Sequence, residues 1–390
     1  LFLKNISISQ FKSHSSATLQ LGQGVNCIVG KNGVGKTNLL DAVYCLLNGK
    51  SYFQMTDALC ILKGETYYLL KGNLQETDET ESHLMVSFQI GKRKAIRLND
   101  EPVNKLAEFF GKYPCVVIAP DDVEIINGES DQRRRFFDYM LSVVDSDYLK
   151  HLSAYNKVLE ARNKQLKVFL EHDNFDAVLL DYYDTKLELH GAYIFKVRQE
   201  STAIFEAYFN KVYAEIAAGV EVPVFKFISK LHDSDFRTGF TQTLNKDRIL
   251  GRTSFGTHRD DWSFDLNGMP LKKTGSQGQI KSFLIALKLA MYNFIYEMPR
   301  GSLAELLPIK KGIPFDIDLK NKHEITNEKR NVKPLLLLDD IFEKIDTSRM
   351  QQLVEIISKP EMGQVIITDT NKKRVEEYFE GRGEVGFFEL

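Results

Sequence analysis

Gly30-Lys31-Asn32-Gly33-Val34-Gly35-Lys36-Thr37 is the stretch whose reading decides the fold. It fits the spacing G-x-x-x-x-G-K-[ST], in which glycines let the backbone turn so that successive N–H groups face phosphate oxygens. Val25-Asn26-Cys27-Ile28-Val29 in front of it reads as a short strand, and Asn38 to Leu47 behind it carries apolar residues at helical spacing. Strand, loop and helix thus come in the order that aims backbone amides and a helix N-terminus at an anion. There Lys36 neutralises γ-phosphate oxygens and the Thr37 hydroxyl holds Mg²⁺. The glycines read G-x-x-G-x-G, which excludes the dinucleotide fingerprint G-x-G-x-x-G.

Working outward, the 390 residues suffice for a large core and two lobes, with 43% hydrophobic and 27% charged residues as in an ordinary soluble protein. No apolar run reaches the roughly 18 residues of a membrane span, and no charged-then-apolar leader opens the chain. A cytoplasmic protein without membrane contact is expected. Cys27, Cys45, Cys60 and Cys115 are scattered without a C-x-x-C pair, as small buried hydrophobes in a reducing compartment would be. Acidic residues number 53 against 51 basic ones, net −2, so any nucleic-acid contact must come from local basic patches.

Before the loop, Phe2 to Ser9 and Ala17 to Leu21 read as strands, with turns at Ser13 to Ser16 and Gly22 to Gly24. After it, Tyr67 to Leu74, Ser82 to Ile90 and Ala95 to Leu98 form an antiparallel section, with Asn99-Asp100-Glu101 as a turn, and Cys115 to Ala119 is an apolar strand stopped by Pro120. The period then changes. Leu152, Tyr155, Leu159, Arg162, Leu166 and Phe169, and again Tyr183, Leu187, His190, Ile194, Val197, Ser201, Ile204, Tyr208 and Lys211, step by three and four. With the polar break Glu171 to Asn174 between them they predict two antiparallel helices of roughly 30 to 45 Å each, either a free arm or a packed lobe. Strand-like patterning returns at Val222 to Ile228 and Trp262 to Leu266, and residues 300–334 read as a surface insertion.

Pro334-Leu335-Leu336-Leu337-Leu338-Asp339-Asp340 is an apolar run ending in two carboxylates, the pattern of a buried parallel strand delivering acids at its C-terminal edge. Asp339 is expected to bind Mg²⁺ and Asp340 to polarise the attacking water, the alternative being that they cap the next turn. Earlier, Ser276-Gln277-Gly278-Gln279 opens a helix with Phe283, Leu284, Leu287 and Ala290 at helical spacing, and Ser276 is a good N-cap.

In the order of phosphate loop, S-x-G-Q helix, paired acids and then Phe342 to Asp346, the chain resembles the ABC-type ATPase head. The resemblance narrows at Gly256-Thr257-His258-Arg259-Asp260-Asp261. With Ile8-Ser9-Gln10-Phe11-Lys12, Ala119-Pro120-Asp121-Asp122 and Gly128 to Asp138, it is similar to the RecF family of bacterial DNA-repair proteins nearly end to end. That resemblance implies an α/β fold: an SMC-like, ABC-type P-loop ATPase head with a mixed sheet, plus a smaller helical lobe. The head would comprise residues 1–120 and 223–390, and the lobe 121–222. It also implies a homodimer closed by ATP, with Lys36, Thr37, Asp339 and Asp340 acting in cis and Ser276 to Gln279 in trans. Asp346 would be the D-loop acid, and Lys12 a nucleotide contact. Partners implied are double-stranded DNA beside gaps, and RecR and RecO in promoting RecA loading, with recombinational repair and weak DNA-dependent ATP hydrolysis as the setting.

The chain departs from that pattern at Thr257, where Pro is usual, at Lys12, where Arg is common, and at Thr368-Asp369-Thr370, where no switch histidine stands. Basic clusters at Lys92 to Lys94, Arg133 to Arg135, Lys272-Lys273, Lys310-Lys311 and Lys372 to Arg374 read individually as solvated turns or internal ion pairs. Two other classes compete. A soluble or transporter-type ABC ATPase without DNA function needs a shorter gap between loop and signature, and a small-molecule P-loop kinase needs a lid and no S-x-G-Q helix.

Overall fold

The computed structural model describes the chain except for residues 77–79, 173, 218, 220, 300, 302, 304–331, 343–346 and 384. The insertion expected over 300–334, with Lys310-Lys311, lies almost wholly outside the described residues, as does Asp346.

β1 (Phe2–Phe11) buries Leu3, then Ile6 and Ile8, because a bulge between Leu3 and Asn5 adds one residue to the period of two. It lies between β2 (His14–Gln20) and β4 (Tyr67–Gln75), and β5 (Glu81–Gln89), β6 (Ala95–Leu98) and β7 (Glu101–Pro102) complete an antiparallel sheet in the order β2-β1-β4-β5-β6-β7. Two turns are tighter than the sequence suggested. His14 already pairs with Phe11, which leaves Lys12 and Ser13 as the turn. Glu101 pairs with Leu98, so the other turn is Asn99-Asp100 alone, with φ of 51° and 65°, the left-handed pair that fits a two-residue hairpin to strand twist.

A second sheet is parallel throughout: β14 (Val385–Glu389), β3 (Val25–Val29), β13 (Val365–Asp369), β12 (Leu335–Leu338) and β8 (Cys115–Ile118), in that order. Its inner strands are buried on both faces, and the period of two divides them between two cores. Ile28, Cys115, Val117, Leu335, Leu337 and Ile366 join the antiparallel sheet and helix α1 (Lys36–Asn48) in one core. Cys27, Val116, Ile118, Leu336, Leu338 and Ile367 face the other, which holds helix α9 (Gln277–Glu297). This explains why these strands read as unbroken apolar runs.

Three further helices build the second core: α4 (Ser130–Val144), α5 (Ser146–His172) and α6 (Ala177–Ile216). Contacts of Arg162 with Asp184 and of His151 with His190 run in opposite directions along α5 and α6, so the pair is antiparallel as the stripes predict. Their 27 and 40 residues give lengths of about 40 and 60 Å, the second beyond expectation. The pair is not a free arm. Tyr155, Leu187, Ile194, Phe205 and Phe209 share the core with Phe283 of α9, and only Leu166, Phe169 and Leu180 form a separate cluster near the tip. Arg162 tolerates its seam position because it is fully buried on Asp184 (2.6 Å) and Asp247 (2.9 Å).

Past α6, β9 (Pro223–Ile228) and β10 (Asp261–Leu266) pair antiparallel as strand-like patterning predicts. Between them lies a helix, Phe236–Leu250, that the strand reading omitted. Its signals are the Asp235 cap, which accepts from the Thr238 N–H at 2.8 Å, and Phe236 and Phe240 one turn apart.

Candidate nucleotide-binding site

The loop leaves β3 and ends at α1 with Gly33 and Gly35 at φ of 84° and 102°. A side chain at Gly35 would stand 2.5 Å from Ser13 Oγ and 2.6 Å from His14 Nε2, so glycine is required there by conformation and by space alike. No side chain caps α1 and no acid stands in its first turn, so the helix start is open to an anion. Lys36 is 4% exposed and its ammonium donates to the carbonyls of Gly30 (2.9 Å) and Lys31 (3.2 Å), within the loop's own ring. His14, which the sequence did not single out, lies with Nε2 3.0 Å from the Gly35 carbonyl.

The acids arrive from the neighbouring strands. Asp339, at the end of β12, donates its N–H to the Ile118 carbonyl of β8 at 2.8 Å and accepts from Thr37 Oγ1 at 2.9 and 3.0 Å. Two residues 302 apart in sequence thereby bring hydroxyl and carboxylate oxygens to one point, the donor set of a hard divalent cation. Burial pushes the Asp339 carboxyl above its ordinary range, against the lowering effect of bonds from Thr368 and Thr37 and of the Lys36 charge. Asp340 sits at φ 43°, and its N–H donates to Thr368 Oγ1 at 2.9 Å. Thr368 Oγ1 also donates to Asp339 Oδ1 at 2.8 Å, so this hydroxyl at the supposed switch position aligns both acids. Its neighbour Asp369 is taken up by Arg374 (2.8 Å to each oxygen), and its carbonyl accepts the Gly30 N–H.

Lys12, expected to contact nucleotide, pairs with Asp41 at 2.5 Å, one turn along α1 from Thr37. Asp41 also accepts from Ser51 Oγ (2.6 Å) and the Tyr52 N–H (2.7 Å). The opposite charge beside it in a buried setting is the physical reason Lys12 turns to the helix.

Ser276 caps α9 as predicted. Its Oγ accepts from the Gln279 N–H at 3.2 Å, and its own N–H donates to Gln279 Oε1 at 2.9 Å, a reciprocal capping box. Ser276 and Gln277 are exposed, Gly278 and Gln279 half-buried, and among the described residues no hydrogen bond joins these four to Gly30–Thr37. The structure thus brings together Lys36, Thr37 and Asp339, with Asp340 next to them, and among the described residues ties Ser276 to Gln279 to none of these by a hydrogen bond.

Three connections were invisible in the sequence because their partners are remote. Lys288, buried on α9, donates to Tyr52 OH (2.8 Å) and pairs with Asp122 Oδ2 (3.0 Å), and Tyr52 OH donates to Asp122, so α9 is joined to the segments following α1 and β8. Glu221 and Arg349 meet beside Gln279. The blocks Gly128–Asp138 and Gly256–Asp261 engage each other: Arg133 grips Asp261 through two bonds (2.6 and 3.1 Å), and buried Arg198 joins Asp138 and Asp260 (2.7 Å each). The cluster Arg133 to Arg135 is therefore largely internal, with Arg135 alone exposed.

A family model described as an AAA ATPase domain matches residues 2–215. A "DNA replication and repair protein RecF" from Flavobacterium johnsoniae is 36% identical over 376 residues, covering 96% of this chain and 96% of the relative. A solved structure of the recombination mediator protein RecF-ATP in the RecFOR pathway is 27% identical, with a TM-score of 0.79 over 95% of this chain and 92% of that one. An Smc head domain with an extended coiled coil from Pyrococcus furiosus, 14% identical with a TM-score of 0.52 over 98% and 92%, shares the fold.

Proposed function

The chain belongs to the RecF family of DNA replication and repair proteins, and from that premise we propose that it is an ATP-switched, duplex-DNA-binding protein. Lys36 and the uncapped start of α1 hold the phosphates, and Thr37 with Asp339 holds Mg²⁺. Held by Thr37 and Asp339, Mg²⁺ would supply neutralisation of the phosphate charge during hydrolysis. Asp340 orients the water for slow hydrolysis, its backbone fixed through Thr368.

The observation that carries the reading is the separation of half-sites. Loop and acids converge within one chain, while Ser276 stands exposed on a well-formed cap that, among the described residues, makes no hydrogen bond to them. A second copy presenting its own Ser276 to Gln279 completes the site, so ATP joins two chains and hydrolysis releases them. The dimer embraces double-stranded DNA near gaps, and in concert with RecO and RecR promotes RecA loading. Support for those partners is the RecFOR setting named for the similar structure.

The test is binding to a gapped duplex with and without ATP. ATP is expected to strengthen binding and to bring two chains to each site. Binding indifferent to ATP, or none, would return the ABC ATPase without DNA function to first place.

A further inference from the structure

We propose that Glu221 is a positioning residue for the signature end of α9, holding it in fixed relation to the helix Thr347–Ile357 that follows the paired acids. The inference rests on the dimer reading above. Glu221 stands between α6 and β9, with its side chain 11% exposed, and its carboxylate accepts from three elements at once. Tyr213 OH of α6 donates at 2.5 Å, Gln279 Nε2 of α9 at 3.0 Å, and Arg349 Nη2 at 3.0 Å. Burial pushes the Glu221 carboxyl up, but the bonds from Tyr213 and Gln279 and the Arg349 charge outweigh that and hold it below the ordinary carboxylate range.

Two routes lead from this one carboxylate to the residues offered in trans. Through Gln279, whose Oε1 accepts the Ser276 N–H at 2.9 Å, it fixes the cap. Through Arg349, whose Nη1 donates to Ser282 Oγ at 2.9 Å, it reaches the Gly278 carbonyl, which accepts from that same Oγ at 2.8 Å. Arg349 lies nine residues beyond Asp340. The ion pair therefore ties the helix Thr347–Ile357 to Ser276 and Gly278, and Glu221 is the shared anchor. Charge-assisted bonds in a shielded site are strong and directional, which suits a residue that must transmit position rather than fill space.

The test compares wild type with Glu221→Ala and Glu221→Gln in three measurements: ATP affinity of the monomer, the ATP concentration at which dimers form, and amide hydrogen exchange across Ser276 to Lys281. Glu221→Ala is expected to leave monomer ATP affinity within about twofold, to raise the dimerisation midpoint about tenfold or more through the loss of charged hydrogen bonds, and to speed exchange at the start of α9. Glu221→Gln, which keeps an acceptor for Gln279 and loses the ion pair, should fall between. Dimerisation and exchange both at wild-type levels in Glu221→Ala would overturn the proposal. So would a parallel loss of ATP affinity and dimerisation with a lowered melting temperature. If the wild type itself forms no dimer with ATP, the dimer reading fails and the exchange comparison alone decides the role of Glu221.

Discussion

At the scale of single residues, Lys36 and His258 carry opposite lessons. Lys36 is buried, with its ammonium donating to the carbonyls of Gly30 and Lys31 in the proposed phosphate loop. Lys36→Ala removes charged hydrogen bonds worth about 1.5 to 3 kcal/mol each, so ATP affinity should fall by roughly ten- to a hundredfold or more. Titration with a fluorescent ATP analogue measures this, and an unchanged affinity would refute the phosphate-loop role. His258 belongs to the block most particular to the family, yet its work is structural. A carbonyl can only accept, so Nε2, 3.1 Å from the Thr253 oxygen, carries the proton and Nδ1 accepts from Tyr155 OH at 2.9 Å. Burial lowers its pKa from 6.5 to about 4. The folded state thus disfavours the proton that the unfolded chain takes up. Its contribution is present above pH 6.5 and lost as pH falls toward 4, about 3 kcal/mol in all. Melting temperatures across that window should fall less steeply for His258→Gln than for wild type, and parallel curves would exclude the assignment.

At the scale of elements, the helices α1 and α9 start in opposite ways. α1 starts on a glycine with no side-chain cap, whereas α9 starts on a Ser276–Gln279 capping box whose serine is exposed. The open start of α1 leaves backbone amides for an anion, and the dimer proposed above would use the exposed cap of α9. Ser276→Arg keeps α1 and the acids untouched, so ATP should bind the monomer as in wild type while ATP-driven dimerisation is blocked by bulk and charge at the joint. Sedimentation with ATP present measures this. Dimers of ordinary affinity in Ser276→Arg would remove the signature from the interface.

At the scale of the whole molecule, a net charge of −2 sets the kind of DNA binding to expect. Several basic groups are already engaged: Lys94 pairs with Asp57 at 2.8 Å, and Lys372 with Glu389 at 2.8 Å. If ATP joins two chains on DNA as proposed, phosphate contact would have to gather scattered exposed cations from both chains onto one face. Binding is expected to be independent of base sequence and to weaken linearly on a log–log plot against salt, with a slope of about −0.9 per phosphate neutralised. A flat salt series would place recognition on bases rather than backbone. No helix among the described residues is long and apolar enough to cross a membrane.

Local rules made much of this legible from sequence. Phosphate loop, capped signature helix and acid-tipped strand each depend on residues a few positions apart, where backbone conformation, capping and apolar period act, and the α5–α6 pair declared itself by its stripe. What the sequence left open were matters of distance along the chain. Whether α5 and α6 projected or packed was decided by burial of Phe205 and Phe209 against α9, and the fate of Lys12 by a buried Asp41. Thr368, Lys288 and Arg349 acquire roles through partners dozens to hundreds of residues away, as Glu221 does through Gln279 and Arg349. Such pairings carry no periodic signal, because a charge finds its partner through the folded geometry. The sequence by itself determined where an anion would be held. Tertiary structure decided that Thr37 and Asp339 meet, since packing of the parallel sheet between its two cores sets the distance between the ends of its strands.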